Sequence, residues 1–138
     1  PEQFAFQQTF TECPAVDADL WSTVDAYLTA IPAGFGTISP ADVGIALAEN
    51  PPFLVDAREA SEFAGGHLPG AVNIPTRSFG ENLDVLPSMD TPVVVYGSQA
   101  HRGALALVAL QMMGFEDVRS MAAGTGGWTN AGNELVTE

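Results

Sequence analysis

The segment Val93-Val94-Val95-Tyr96-Gly97-Ser98-Gln99-Ala100-His101-Arg102-Gly103 is the part of this sequence best placed to do chemistry. Four β-branched or aromatic residues in a row read as a buried strand, and the Ala- and Leu-rich stretch Ala104 to Met113, closed by Gly114, reads as a buried helix. A strand that runs into a tight loop and then a helix points several backbone N–H groups at one spot, with the positive end of the helix dipole behind them. Gly97, Ser98, Gln99, Ala100, His101, Arg102 and Gly103 are therefore read as an anion-binding loop. Arg102 would add a permanent charge with a bidentate fork, and His101 a second charge when protonated. The competing reading pairs Arg102 with one of the many carboxylates and leaves His101 in solvent. The loop contains no Cys, and Ser98 has only His101 as a base, with no orienting acid evident, so a serine hydrolase is set aside. His67 and His101 are the only imidazoles, and no Cys/His cluster has ligand spacing; neither a metal nor a cofactor is expected.

The elements that must position this loop alternate along the chain. Leu20, Trp21, Val24, Tyr27, Leu28 and Ile31 recur at helical spacing until Pro32, giving an amphipathic helix on an N-terminal arm, residues 1–36. Ser39-Pro40-Ala41-Asp42 reads as an N-cap, a proline at the first helical position and an acid in the first turn, opening a helix that ends before Asn50. Phe53 to Asp56 and Gly70 to Pro75 suit buried strands, the apolar residues from Ser78 to Leu86 fit one face of a helix, and Val118 to Met121 is a further strand. Gly124 to Trp128 reads as a glycine-rich turn with an aromatic plug. The expected fold is α/β, a mostly parallel sheet with helices on both faces, in which ligands sit beyond the carboxyl ends of the strands. Residues 37–138 form that domain.

Seventeen acidic residues against four Arg and no Lys give a net charge of -13, which repels nucleic acid and anionic membrane surfaces. No apolar run is long enough to span a bilayer, so the molecule is expected to be soluble. The chain opens at Pro1 with neither Met nor a leader, and its natural start is expected to lie upstream. Cys13 has no cationic neighbour and reads as an inert thiol. One Cys, no Lys and an acidic surface are compatible with an extracytoplasmic bacterial protein, the alternative being a cytoplasmic one.

From about Thr37 to Leu135 the chain resembles the rhodanese-like superfamily in its single-domain form. The resemblance is carried by Ile38-Ser39-Pro40-Ala41-Asp42, by Leu54-Val55-Asp56-Ala57-Arg58-Glu59, by Glu62-Phe63 and by Gly66-His67-Leu68-Pro69-Gly70-Ala71. It continues in the strand Val93 to Tyr96, which in the family delivers Cys-x-x-Gly-x-Arg-Ser, and in Gly124 to Trp128, similar to a Gly-Gly-x-x-x-Trp signature. Family members with activity carry a sulfane sulfur on that Cys as a persulfide. Here its position falls on Gly97, with Ala100 for the usual Gly and Gly103 for the usual Ser. The resemblance further implies that Asp56 and Arg58 brace the loop and line the pocket entrance, with His67 in a packing or turn role.

The leading expectation is thus a catalytically inactive rhodanese-like domain that binds a small anion such as thiosulfate or sulfate, or serves a partner domain or protein as a regulatory module. The alternative is a thiosulfate sulfurtransferase whose catalytic Cys was substituted or is supplied by another domain. A third reading, an interaction domain using the Trp21 and Tyr27 helix, ranks below both.

Overall fold

Every residue of the strand Val93–Tyr96 (β4) is buried, because β4 lies at the centre of a five-stranded sheet. The computed structural model describes residue 15 and residues 17–138. Cys13 lies outside the described residues. These divide into two units, one ending at Ile31 and one spanning Pro32–Glu138. The first contains helix α1 (Ala18–Ala30), started by Asp17, whose carboxylate accepts from Leu20 N–H at 2.8 Å. Leu20, Trp21 and Leu28 on this helix are exposed.

In the second unit the strands are β1 (Thr37–Ile38), β2 (Phe53–Asp56), β3 (Val72–Asn73), β4 and β5 (Val118–Met121), ordered β1-β5-β4-β2-β3 and all parallel. Parallel pairing requires crossovers, and α2 (Pro40–Glu49), α3 (Ala60–Ala64), α4 (Ala100–Met112) and α5 (Gly124–Asn130) take up the sequence around them. Alternate residues of the strands feed two cores. Val55, Val93 and Val95 pack with Ala106, Leu107 and Leu110 of α4 on one face, while Leu54, Val94 and Tyr96 pack with Val43 of α2 and Trp128 of α5 on the other. The expected α/β architecture with helices on both faces is what the chain adopts.

Local chemistry explains the boundaries. Ser39 Oγ accepts from Asp42 N–H at 3.1 Å and Pro40 takes the first helical position of α2, as the sequence predicts. Three expectations need correction. The predicted helix from Ser78 to Leu86 is instead two short 3₁₀ segments, Thr76–Glu81 and Leu83–Val85, broken at Ser78 (φ -113°, ψ 17°). Ser78, Gly80, Asn82 and Asp84 are poor helix formers, and Asn82 Nδ2 donates to Ser78 O at 2.8 Å, which favours a tight turn over a continuous helix. The predicted strand Gly70 to Pro75 pairs only at Val72–Asn73, since Gly70 is still in a turn and Pro75 has no N–H to give. Finally, Gly124 to Trp128 is not a turn but the first part of helix α5. Burial of Trp128, with its Nε1–H donating to Glu134 O at 2.9 Å, outweighs the poor helix propensity of the glycines. No helix among the described residues is long and apolar enough to cross a membrane.

Candidate functional site

The strands all end at one edge of the sheet, and the loop from Gly97 to Gln99 leaves β4 there before α4 begins. No backbone N–H from Ser98 to Arg102 donates a hydrogen bond within the described part of the protein. These groups stand at the head of a 13-residue helix, whose dipole adds positive potential. Gln99, Ala100 and His101 are exposed, Ser98 and Arg102 half-buried, and Gly97 and Gly103 buried.

The loop is fastened from behind by main chain. Thr125 N–H donates to Gly97 O at 2.9 Å and Gly126 N–H to Ser98 O at 3.4 Å, so the first turn of α5 spends its free donors on the loop's carbonyls. Gly103 backs onto Ser120: a Cβ there would lie 2.7 Å from Ser120 Oγ and 3.3 Å from Tyr96 Cα.

Arg102 does not stand free in the loop. Its Nη1 and Nη2 lie 2.5 and 2.8 Å from the two carboxylate oxygens of Glu62, and Nη2 also donates to Ser98 Oγ at 2.9 Å. The structure thus places Arg102 in the carboxylate pair that the sequence left as the competing reading, where it ties α3 to α4. Glu62 also accepts from Glu59 N–H at 3.1 Å in a capping box. Arg102, then Glu59, hold the Glu62 carboxyl down at about 2, and the pair raises Arg102 in turn. Glu62 is the functional residue that loop-based reasoning misses: it is 40 residues from Arg102, and only its place in the Glu62-Phe63 motif marked it. A carboxyl whose native value lies below its unfolded value of about 4.3 contributes stability above that value and loses it as pH falls toward 2. The stability difference between the wild-type protein and Glu62→Gln should therefore shrink as pH drops from about 5 to about 2. Urea midpoints across that range check it; a difference independent of pH would contradict the assignment.

Beneath the loop lies a buried polar knot. Asp56, fully buried at the end of β2, accepts from Arg58 Nε at 2.9 and 3.0 Å, from Nη2 at 2.6 Å and from the Arg58 backbone N–H at 2.9 Å. Arg58 Nη2 also donates to Gly66 O at 2.7 Å, and Arg58 Cζ sits 5.9 Å from the centroid of the Tyr96 ring. Tyr96, the residue before the loop, is fully buried, and its hydroxyl accepts from Leu68 N–H at 3.1 Å. Burial, reinforced by the charge on Asp56, raises the Tyr96 phenol far above its ordinary value and keeps it neutral. His67 is buried, stacks on Phe63 with ring centroids 3.6 Å apart, and directs Nδ1 at Phe63 O (2.9 Å) and Nε2 at Glu138 O (3.2 Å). It lies on the segment that Arg58 holds rather than on the loop. The His101 side chain makes no hydrogen bond among the described residues. Among those residues, no three His, Cys, Asp or Glu side chains gather as ligands for a metal.

Comparison with known proteins bears on this arrangement. A family model described as a rhodanese-like domain matches residues 39–131. The chain is 34% identical over 86 residues to the thiosulfate sulfurtransferase GlpE of Actinobacillus succinogenes, covering 61% of this chain and 75% of that protein. It is 32% identical over 75 residues to the uncharacterized protein YqhL of Bacillus subtilis, covering 54% of this chain but only 59% of that relative's length. Among solved structures, the rhodanese-like domain of the Anabaena protein Alr3790 superposes with a TM-score of 0.69 at 22% identity, over 75% of this chain and 80% of that one. A thiosulfate sulfurtransferase from Pseudomonas aeruginosa gives 0.67 at 31% identity, over 75% of this chain and 20% of that one. With the family model matched from the start of α2 through the end of α5, on a parallel sheet of the same fold, the chain belongs to the rhodanese-like domain family.

Proposed function

We propose that this domain is a binding or regulatory module that holds a small oxyanion, such as thiosulfate or sulfate, at the loop from Gly97 to Gly103 and does not carry sulfur there as a persulfide. The observation behind this reading is residue 97. The position that the family resemblance assigns to the persulfide Cys has no side chain, while the N–H groups of Ser98 to Arg102 have no acceptor among the described residues and stand at the head of α4. Without a thiolate there is no nucleophile to accept sulfur. Backbone N–H groups and the helix dipole would hold the anion, with Arg102 bracing the loop through Glu62 and Ser98.

The relatives named thiosulfate sulfurtransferase keep a second reading in view, an enzyme in which a single Cys was exchanged. The contact of Gly103 with Ser120 weighs against it. A Ser side chain at 103, the usual family residue, meets Ser120 Oγ and the Tyr96 backbone, so the surroundings are fitted to glycine and the loop differs at more than one point.

The expected result is that no thiocyanate forms from thiosulfate and cyanide above the level of a Cys13→Ser control. Thiocyanate production above that control would sink the reading. A complementary variant probes the loop itself. Gly97 has no left-handed φ, and a Cβ there meets Arg102 Cβ and Gln99 O at 3.1 Å, so Gly97→Cys should fold with a small local adjustment. Its thiol should titrate below the roughly 8.5 of free cysteine, because the loop N–H groups and the dipole favour the thiolate. The pH dependence of alkylation on a Cys13→Ser background measures this, and a thiol with its ordinary value in a folded protein would mean that the loop does not favour anions.

A further inference from the structure

A cleft of about 490 Å³ opens along α2, reaching from Ile38 and Asp42 to Pro52, Pro92 and Asp117 beside the starts of β2, β4 and β5. Ile38, Ile45, Pro52, Pro92 and Val94 make its surface apolar, and Ile45 on α2 remains 55% exposed. Burial of such a side chain is worth having, and nothing among the residues of this unit covers it. Three carboxylates line the same cleft, Asp42, Glu49 and Asp117, against one cation, Arg119. Arg119 Nε lies 3.3 Å from Asp117 Oδ1, so that charge is already answered, and Asp42 and Glu49 leave the cleft net negative.

We propose that this cleft docks a segment of a different protein, one that inserts an aliphatic or aromatic side chain against Ile45 and Val94 and flanks it with Lys or Arg facing Asp42 and Glu49. The volume lies within the range of sites that take a few side chains or a small ligand. Charge complementarity selects the occupant. The chain's own amino-terminal segment contributes none of the required cations, since the first basic residue is Arg58, and a second copy brings a net charge of -13. The chain has no Lys, and three of its four Arg, Arg58, Arg102 and Arg119, already sit in ion pairs, which leaves Arg77; a partner segment carrying Lys or Arg therefore answers the cleft better than a second copy does. None of the residues lining the cleft belongs to the loop from Gly97 to Gly103, and the inference stands apart from the reading of that site.

The test is titration of the isotope-labelled full chain with a short amphipathic peptide of Leu and Lys, followed through backbone amide shifts. The expected result is a set of shifts confined to the residues around Ile45, Val94 and Arg119. Ile45→Lys, a change at an exposed position, should weaken binding at least about tenfold. Leu105→Lys places the same charge on the exposed side of α4, across the sheet, and should change affinity less than about twofold. Shifts spread evenly over the acidic surface, equal losses in the two variants, or equal binding of a Leu and Glu peptide would each overturn the proposal. So would shifts at the cleft that grow with protein concentration in the absence of peptide, since a second copy would then be the occupant.

Discussion

Asp56→Ala should cost the domain about 3–5 kcal/mol, which is much of the stability of a protein this size. Asp56 is fully buried and accepts four hydrogen bonds from Arg58. Removing it leaves a guanidinium that is also buried, and whose one remaining acceptor among the described residues is Gly66 O, carrying an uncompensated charge in a low-dielectric interior. The loss should exceed that from any exposed pair, such as Arg119 with Asp117. Because Asp56→Ala risks not folding, the double variant Asp56→Leu with Arg58→Met carries the decision: removing both charges should restore a large part of the lost stability, with a coupling of about 1–3 kcal/mol. Urea midpoints give the values. Additive losses would show that the pair acts as two independent side chains.

Gly124→Ala should destabilise the domain by roughly 3 kcal/mol or more, an effect larger than glycine's conformational freedom alone explains. Gly124 has φ +53°, a left-handed conformation costing a residue with a Cβ about 1–2 kcal/mol. In addition, a Cβ at this position would overlap Gly97 O and lie 2.7 Å from Ser98 C and 2.8 Å from Gln99 N. Those are backbone atoms, so the loop must move for the side chain to fit. Gly132→Ala separates the two contributions, since Gly132 has φ +87° with nothing within 4 Å of its added Cβ, and should cost only the conformational part. Equal losses at positions 124 and 132 would mean that the loop yields at no cost and is not fixed by α5.

Much of the fold was legible because its strongest signals are local. Phe53–Asp56 and Val118–Met121 are strands with the predicted ends, and Ser39-Pro40 starts α2 where capping chemistry puts it. Signals failed where burial and local preference disagree: a helix rich in glycine forms at Gly124 because Trp128 anchors it, whereas the apolar stretch at Phe79 and Leu83 stays in 3₁₀ turns because polar and glycine residues interrupt it. At the site, sequence located the loop and the knot residues Asp56 and Arg58, but not what holds Arg102. The pairing of Arg102 with Glu62 is made across 40 residues by side chains of α3 and α4, and no periodicity encodes which of seventeen acids will reach one arginine. The N–H groups of Thr125 and Gly126 were equally out of view, since every residue carries one.

The way the loop is fastened separates what endures in this domain from what can change. Its path is held by bonds from α5 to the carbonyls of Gly97 and Ser98 and by the Arg102 bridge, and no bond runs through a side chain at residue 97. A side chain introduced at that position breaks none of these bonds, although its Cβ must settle against Arg102 Cβ and Gln99 O at 3.1 Å, so the path of the loop does not depend on a nucleophile there. The shape of the loop is thus held through backbone bonds and the Arg102 bridge, independently of any chemistry at residue 97.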